Sequence, residues 1–132
     1  MKIWQKDNTD TAQRVEQFTV GRDREFDLLL AAYDVQGSLA HTEMLYSVGL
    51  LTLEEKELIH EGLRFILQDI EAGRFTIGPD AEDIHSRIEW ILTERLGEAG
   101  KKIHRGRSRN DQVAVAIKLF LKQAIQEIKT AA

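Results

Sequence analysis

Between residues 24 and about 48 the apolar side chains return at steps of three and four. The positions are Phe26, Leu29, Leu30, Tyr33, Gly37, Ala40, Met44 and Val48. Steps of this size place them on one face of a helix, and Gly49 predicts its end. Thr52 stands three residues before Glu55, the spacing of a capping box. A second helix should open there, with Leu58, Ile59, Leu63, Ile66, Leu67 and Ile70 as its buried stripe and Gly73 just past its end. Gly78-Pro79 reads as a turn, and Asp80 as the N-cap of a third helix. That helix is expected from about Ala81 to Leu96, with Ile84, Ile88, Ile91, Leu92 and Leu96 inward and Gly97 beyond it. After a Gly- and Lys-containing loop at 97–109, a fourth helix begins near Asp111 and carries Val113, Ile117, Phe120, Leu121, Ala124 and Ile128.

No period-two alternation, internal repeat or low-complexity tract interrupts this pattern. The expected fold class is all-α, built of helical hairpins. The last helix has no stop signal, because neither Gly, Pro nor a capping residue follows Ile128. A helix cut short and an ordinary frayed terminal helix explain that equally well.

Composition adds limits. The 132 residues suffice for one domain with a real core, and 42% apolar against 30% charged residues is ordinary for a globular chain. Without cysteine, a disulfide framework and thiolate chemistry are excluded. The N-terminal MKIWQKDNTD has no apolar signal region, and the apolar run at 28–33 is too short for a bilayer. A cytoplasmic protein with no membrane partner is expected.

Charge changes the picture more. Residues 1–100 hold 10 Lys/Arg against 20 Asp/Glu, whereas residues 101–132 hold 8 against 2. Five of those cations fall within KKIHRGRSR (101–109), directly before Asn-Asp-Gln and the last helix. Such asymmetry marks a binding surface for anions or a tail that meets an acidic partner. In GRSRND (106–111), Gly106 permits an unusual turn, and Ser108, Asn110 and Asp111 are all good N-cap residues. Free N–H groups at a helix start attract anions. Arg107 and Arg109 can clamp a carboxylate or phosphate, and Asn110 can donate and accept at once. On these grounds a ligand site and a capped helix behind a solvated basic loop stand level. An RNA-binding reading of 101–109 ranks behind a small carboxylate ligand: no aromatic side chains interleave with the arginines, and the rest of the chain is acidic.

AEDIHSRIE (81–89) is the second candidate. Asp83 and His85 lie in the first turns of the third helix, and His85 shares a face with Glu89. A histidine beside carboxylates can relay protons or orient a neighbour. Taken alone, Asp83 as a cap and His85 as a satisfied hydrogen-bonding group is the stronger reading. No metal-ligand spacing, P-loop, dinucleotide fingerprint or nucleophile elbow occurs. FTVGRDREFD (18–27) is weaker still, with Thr19 or Asp23 as caps and Gly21 as a loop former. His41, His60 and His104 have no partner at a telling spacing.

AEDIHS followed by GKKIHRGRSRNDQVA, together with VQGSLAHTEML and GLLTLEEKELIHEGL, resembles the N-terminal region of the argininosuccinate lyases, in the fumarase/aspartase superfamily. The likeness covers essentially the whole chain but only about a third or less of a family member, and GRSRNDQ is its most specific string. The resemblance implies an N-terminal helical domain at 1–110, with 111–132 as the start of a long helix in a central bundle. It also implies a homotetramer whose active sites draw on three subunits. The implied reaction is reversible β-elimination of argininosuccinate to arginine and fumarate, with no metal or organic cofactor. By motif, Ser108, Arg109 and Asn110 would hold substrate, while Asp83 and His85 would support the site. Arg105 departs from the family's usual Thr, and the stretch from Phe18 departs from its Phe-Asn-x-Ser. The family's Thr-His acid and Gly-Ser-Ser-x-Met-Pro base loop do not occur in these residues, so no catalytic acid or base is expected here, and the chain alone should be inactive. The alternative is a self-contained helical interaction module, soluble and monomeric.

Overall fold

In a computed structural model of the chain, the described residues are 26–78, 81 and 83–132. Thr19, Gly21, Asp23, Pro79 and Asp80 therefore lie outside them. Every regular element among the described residues is helical. A 3-10 turn, Leu28–Leu30, leads into α1, Ala31–Ser47. Helices α2 (Leu53–Glu71), α3 (Ile84–Leu96) and the one-turn α4 (Glu98–Lys101) follow, then a 3-10 turn at Lys102–His104 and the long α5, Arg109–Ala131.

The capping box forms as the spacing predicts: Thr52 Oγ1 accepts from the Glu55 N–H at 3.1 Å, and Glu55 accepts from the Thr52 N–H at 3.1 Å. The predicted ends at Gly49, Gly73 and Gly97 also hold. The third helix starts later than expected. Its cap is Asp83, whose carboxylate accepts from the Ser86 N–H at 2.7 Å, so the first helical residue is Ile84 rather than Ala81. The expected loop at 97–109 is largely helical turns, α4 and the 3-10 turn.

Short connections make α1 and α2 pack together, and α3 lies against α2. Their shared core is Val35, Leu45, Leu51, Ile59, Leu63, Ile66, Ile88 and Leu92, joined by Ile103 from the 3-10 turn. Each such side chain contributes roughly 1.5–3 kcal/mol on burial. Gly100 is required where α4 folds back on α3, since a Cβ there would lie 2.4 Å from the Leu92 carbonyl oxygen.

The apolar row read along α1 is not the row that is enclosed. Phe26, Leu29 and Val48 are each more than half exposed, and Ala40 and Met44 are also exposed. The buried residues are Ala31, Asp34, Val35, Ser38, Thr42 and Leu45. The reason is that α1 has two main neighbours. It packs against α2 on one side and α5 on another, where Tyr33 meets Phe120 edge-on at 5.9 Å. Three polar residues at four-residue steps, Asp34, Ser38 and Thr42, are buried along α1. On α2, Leu58 is likewise exposed rather than buried, while Ile59, Leu63 and Ile66 are enclosed.

Candidate functional site

Local chemistry fixes the start of α5. Ser108 is its N-cap, with Oγ accepting from the Asp111 N–H at 3.3 Å and the Asp111 carboxylate accepting from the Ser108 N–H at 2.9 Å. That N–H holds the Asp111 carboxyl below its ordinary range. The Arg109 and Asn110 N–H groups have no acceptor among the described residues, and the Asn110 side chain is exposed beside them.

The polar stripe of α1 reaches this helix start. Gln112 donates its side-chain amide to both oxygens of Asp34, at 2.9 and 3.2 Å. His85 Nδ1 lies 2.9 Å from Asp34 Oδ1, at ion-pair distance though not turned for an aligned hydrogen bond. One step along the stripe, Ser38 Oγ accepts from Arg107 Nη2 at 3.0 Å. Burial pulls the Arg107 guanidinium below its ordinary value, while the Asp34 charge pulls the other way. A further step along, Thr42 donates to the Ser38 carbonyl and meets His60 Nε2 at 2.8 Å.

Arg109 closes the network. Its guanidinium donates to Gln112 Oε1 at 2.8 Å and to Glu89 Oε2 at 3.2 Å. The same Glu89 oxygen lies 2.8 Å from His104 Nε2, and this contact, ahead of Arg109, keeps the Glu89 carboxyl below its usual range. Arg105 is anchored differently: it donates to the Leu50 carbonyl at 2.8 Å, and its own carbonyl meets His41 Nε2 at 2.6 Å. Lys102 pairs with Glu55 and Lys101 with Glu98. Much of the basic stretch is thus neutralised or braced from within the molecule. Among the described residues no group of acidic, histidine or cysteine side chains is placed to hold a metal ion.

A family model described as "Lyase" matches residues 7–132. The chain belongs to this lyase family. It is similar to argininosuccinate lyases from several bacteria: 52% identical over 130 residues to that of Bacteroides thetaiotaomicron, covering 98% of this chain and 29% of the relative. Identity is 52% over 130 residues to that of Moorella thermoacetica, again 98% of this chain and 28% of the relative. For Thermotoga neapolitana it is 46% over 128 residues, covering 97% and 32%. The chain therefore spans under a third of the length of these curated relatives.

Within this lyase-family fold the predicted residues take distinct places. Ser108 is spent on the cap of α5 and Asp83 on the cap of α3. Arg109 and His85 join one network through Gln112 and Asp34, while Asn110 is exposed. Asp34, Ser38, Glu89, Gln112 and His104 belong to the same assembly, and no spacing along the chain brings them together. Asp34 and Ser38 are concealed in the sequence by an apolar pattern that points to the other face of α1. Asp, Ser and Thr recurring at four-residue steps on one helix face is the available signal. The histidines find partners 15 or more residues away, which no spacing rule detects.

Proposed function

We propose that this chain is the N-terminal part of an argininosuccinate lyase, which reversibly cleaves argininosuccinate to arginine and fumarate. The observation that carries the reading is the braced arginine pair at the start of α5, in the string GRSRNDQ. Arg107 and Arg109 are held by Ser38, Gln112 and Glu89 beside two free backbone N–H groups and an exposed Asn110. Similarity to relatives carrying that enzyme name supports it.

In β-elimination a base takes a proton from the carbon beside a carboxylate, the C–N bond to the guanidinium breaks as the double bond of fumarate forms, and an acid returns a proton to the departing nitrogen. Negative charge builds on the carboxylate in between. Fixed donors lower that barrier because they need not reorganise as the charge appears. Arg109, Asn110 and the N–H groups at the cap of Ser108 would hold substrate carboxylates. Asp83 and His85 would support the site, Asp83 by fixing the start of α3 and His85 by bracing Asp34. Residues 1–110 would form the N-terminal domain and 111–132 the first bundle helix of a cytoplasmic homotetramer. The exposed row Ile117, Leu121, Ile125 and Ile128 on α5 is the surface such a bundle needs. No helix among the described residues is long and apolar enough to cross a membrane. Internal pairing of Lys101, Lys102 and Arg109 with carboxylates favours a small ligand over a polyanion.

The test follows fumarate absorbance after argininosuccinate is added to the protein from the complete reading frame. Turnover that collapses in Asn110→Ala supports the lyase. An inactive parent leaves a helical interaction module.

A further inference from the structure

We propose that Asp34 is a positioning residue for Arg109, acting by fixing which way the Gln112 amide points. The inference rests on the lyase reading only in taking Arg109 to touch substrate.

Asp34 is 1% exposed, and both its oxygens face the Gln112 amide nitrogen. A carboxylate only accepts, so Gln112 must turn its NH₂ toward α1. Its Oε1 is then left facing the opposite way, where it accepts from Arg109 Nη1 at 2.8 Å. Gln112 is itself buried, so the amide has no solvent partner with which to exchange these roles. The Arg109 guanidinium is also held by Glu89, which in turn meets His104. A carboxylate on α1 thereby sets the orientation of an arginine on α5 through one intervening amide, itself 78 residues from Asp34 in sequence. His85 Nδ1 lies 2.9 Å from the same carboxylate.

This chain of donors and acceptors makes a sharp demand on substitutions. In Asp34→Asn one of the two oxygens that face the Gln112 amide nitrogen, at 2.9 and 3.2 Å, becomes an NH₂, so a donor meets a donor. Turning the Gln112 amide to relieve that contact points its NH₂ at Arg109, donor against donor. Adding Gln112→Glu restores an acceptor on both sides: the amide introduced at position 34 donates to one carboxylate oxygen and Arg109 to the other. A purely structural role predicts the opposite ranking, with the double variant no better than the single one.

The experiment measures kcat and KM for argininosuccinate in the protein from the complete reading frame. Expected are a KM raised roughly tenfold or more in Asp34→Asn, a smaller change in kcat, and a KM near the parent's in Asp34→Asn/Gln112→Glu. A double variant as impaired as the single one overturns the proposal, as does an unchanged KM in Asp34→Asn. Should Asp34→Asn fail to fold, the double variant alone decides by the same comparison with the parent. A parent without activity would count against the lyase reading instead. The positioning claim is then read from the Arg109 Nε–H resonance of this chain, assigned by Arg109→Lys. That signal is expected to shift in Asp34→Asn and return in the double variant, and failure to return overturns the claim.

Discussion

Gly100 approaches Leu92 so closely that a Cβ on it would stand 2.4 Å from the Leu92 carbonyl oxygen and 2.9 Å from the Thr93 nitrogen. Both obstacles are backbone, so neither can rotate away. Gly100→Ala should force α4 off the end of α3 and loosen Ile103, which plugs the core from the following turn. Overpacking of this kind costs about 1–3 kcal/mol. Chemical denaturation of Gly100→Ala is expected to show that loss with little change in the slope of the transition. Gly49→Ala is a poor control, since its φ is +81°, so a helix-surface Gln68→Ala serves better.

Ser108 is committed to the cap of α5. Ser108→Ala should lower stability by about 1 kcal/mol, and Ser108→Asp should recover most of it because either side chain can accept from the Asp111 N–H. Thermal unfolding of the three proteins checks this. If Ser108 also touches substrate, Ser108→Asp will restore stability without restoring KM.

Stability should fall as pH drops below about 6.5. Burial lowers the pKa of His60 from its ordinary 6.5, and burial does the same for His41. The unfolded chain therefore binds more protons than the folded one below that value. The stabilisation is fully present above pH 6.5 and is lost as the pH falls through the depressed folded values. In the fold, the Thr42 hydroxyl already donates to Ser38, so its oxygen must accept from His60 Nε2–H. His60→Gln can keep that donor without titrating. Urea unfolding at pH 7.5 and 5.5 should give a smaller difference for His60→Gln than for the parent; equal differences would remove His60 from the account.

The outer row of α5 leaves Leu121, Ile125 and Ile128 between 48% and 69% exposed. Apolar surface in a line along one helix drives association. Light scattering of this chain should give a mass that rises with concentration, and Leu121→Lys with Ile125→Lys should hold it at the monomer. A parent that stays monomeric at high concentration would favour the self-contained module.

Much of the architecture is legible without coordinates. Helix ends at Gly49, Gly73 and Gly97, the Thr52–Glu55 box and the Ile59–Leu63–Ile66 stripe depend on residues within a few positions of each other, and local geometry decides them. The cap of α3 is displaced by three residues because Asp80 and Asp83 are equally good caps by type, and the Asp83 hydrogen bond to Ser86 selects between them. On α1 the periodicity identifies a real apolar row but not the row that is enclosed.

What the chain by itself determined is therefore the all-α class, most helix ends and the string GRSRNDQ that marks the candidate site. Each rests on interactions within one or two helical turns. Tertiary structure alone decided that α1 is flanked by two helices, which buries Asp34, Ser38 and Thr42 instead of Leu29 and Met44. It also decided that Gln112, the partner of Arg109, meets a carboxylate 78 residues away in sequence. A buried polar group takes whatever partner packing brings to it, and that partner is set by how helices meet rather than by spacing along the chain.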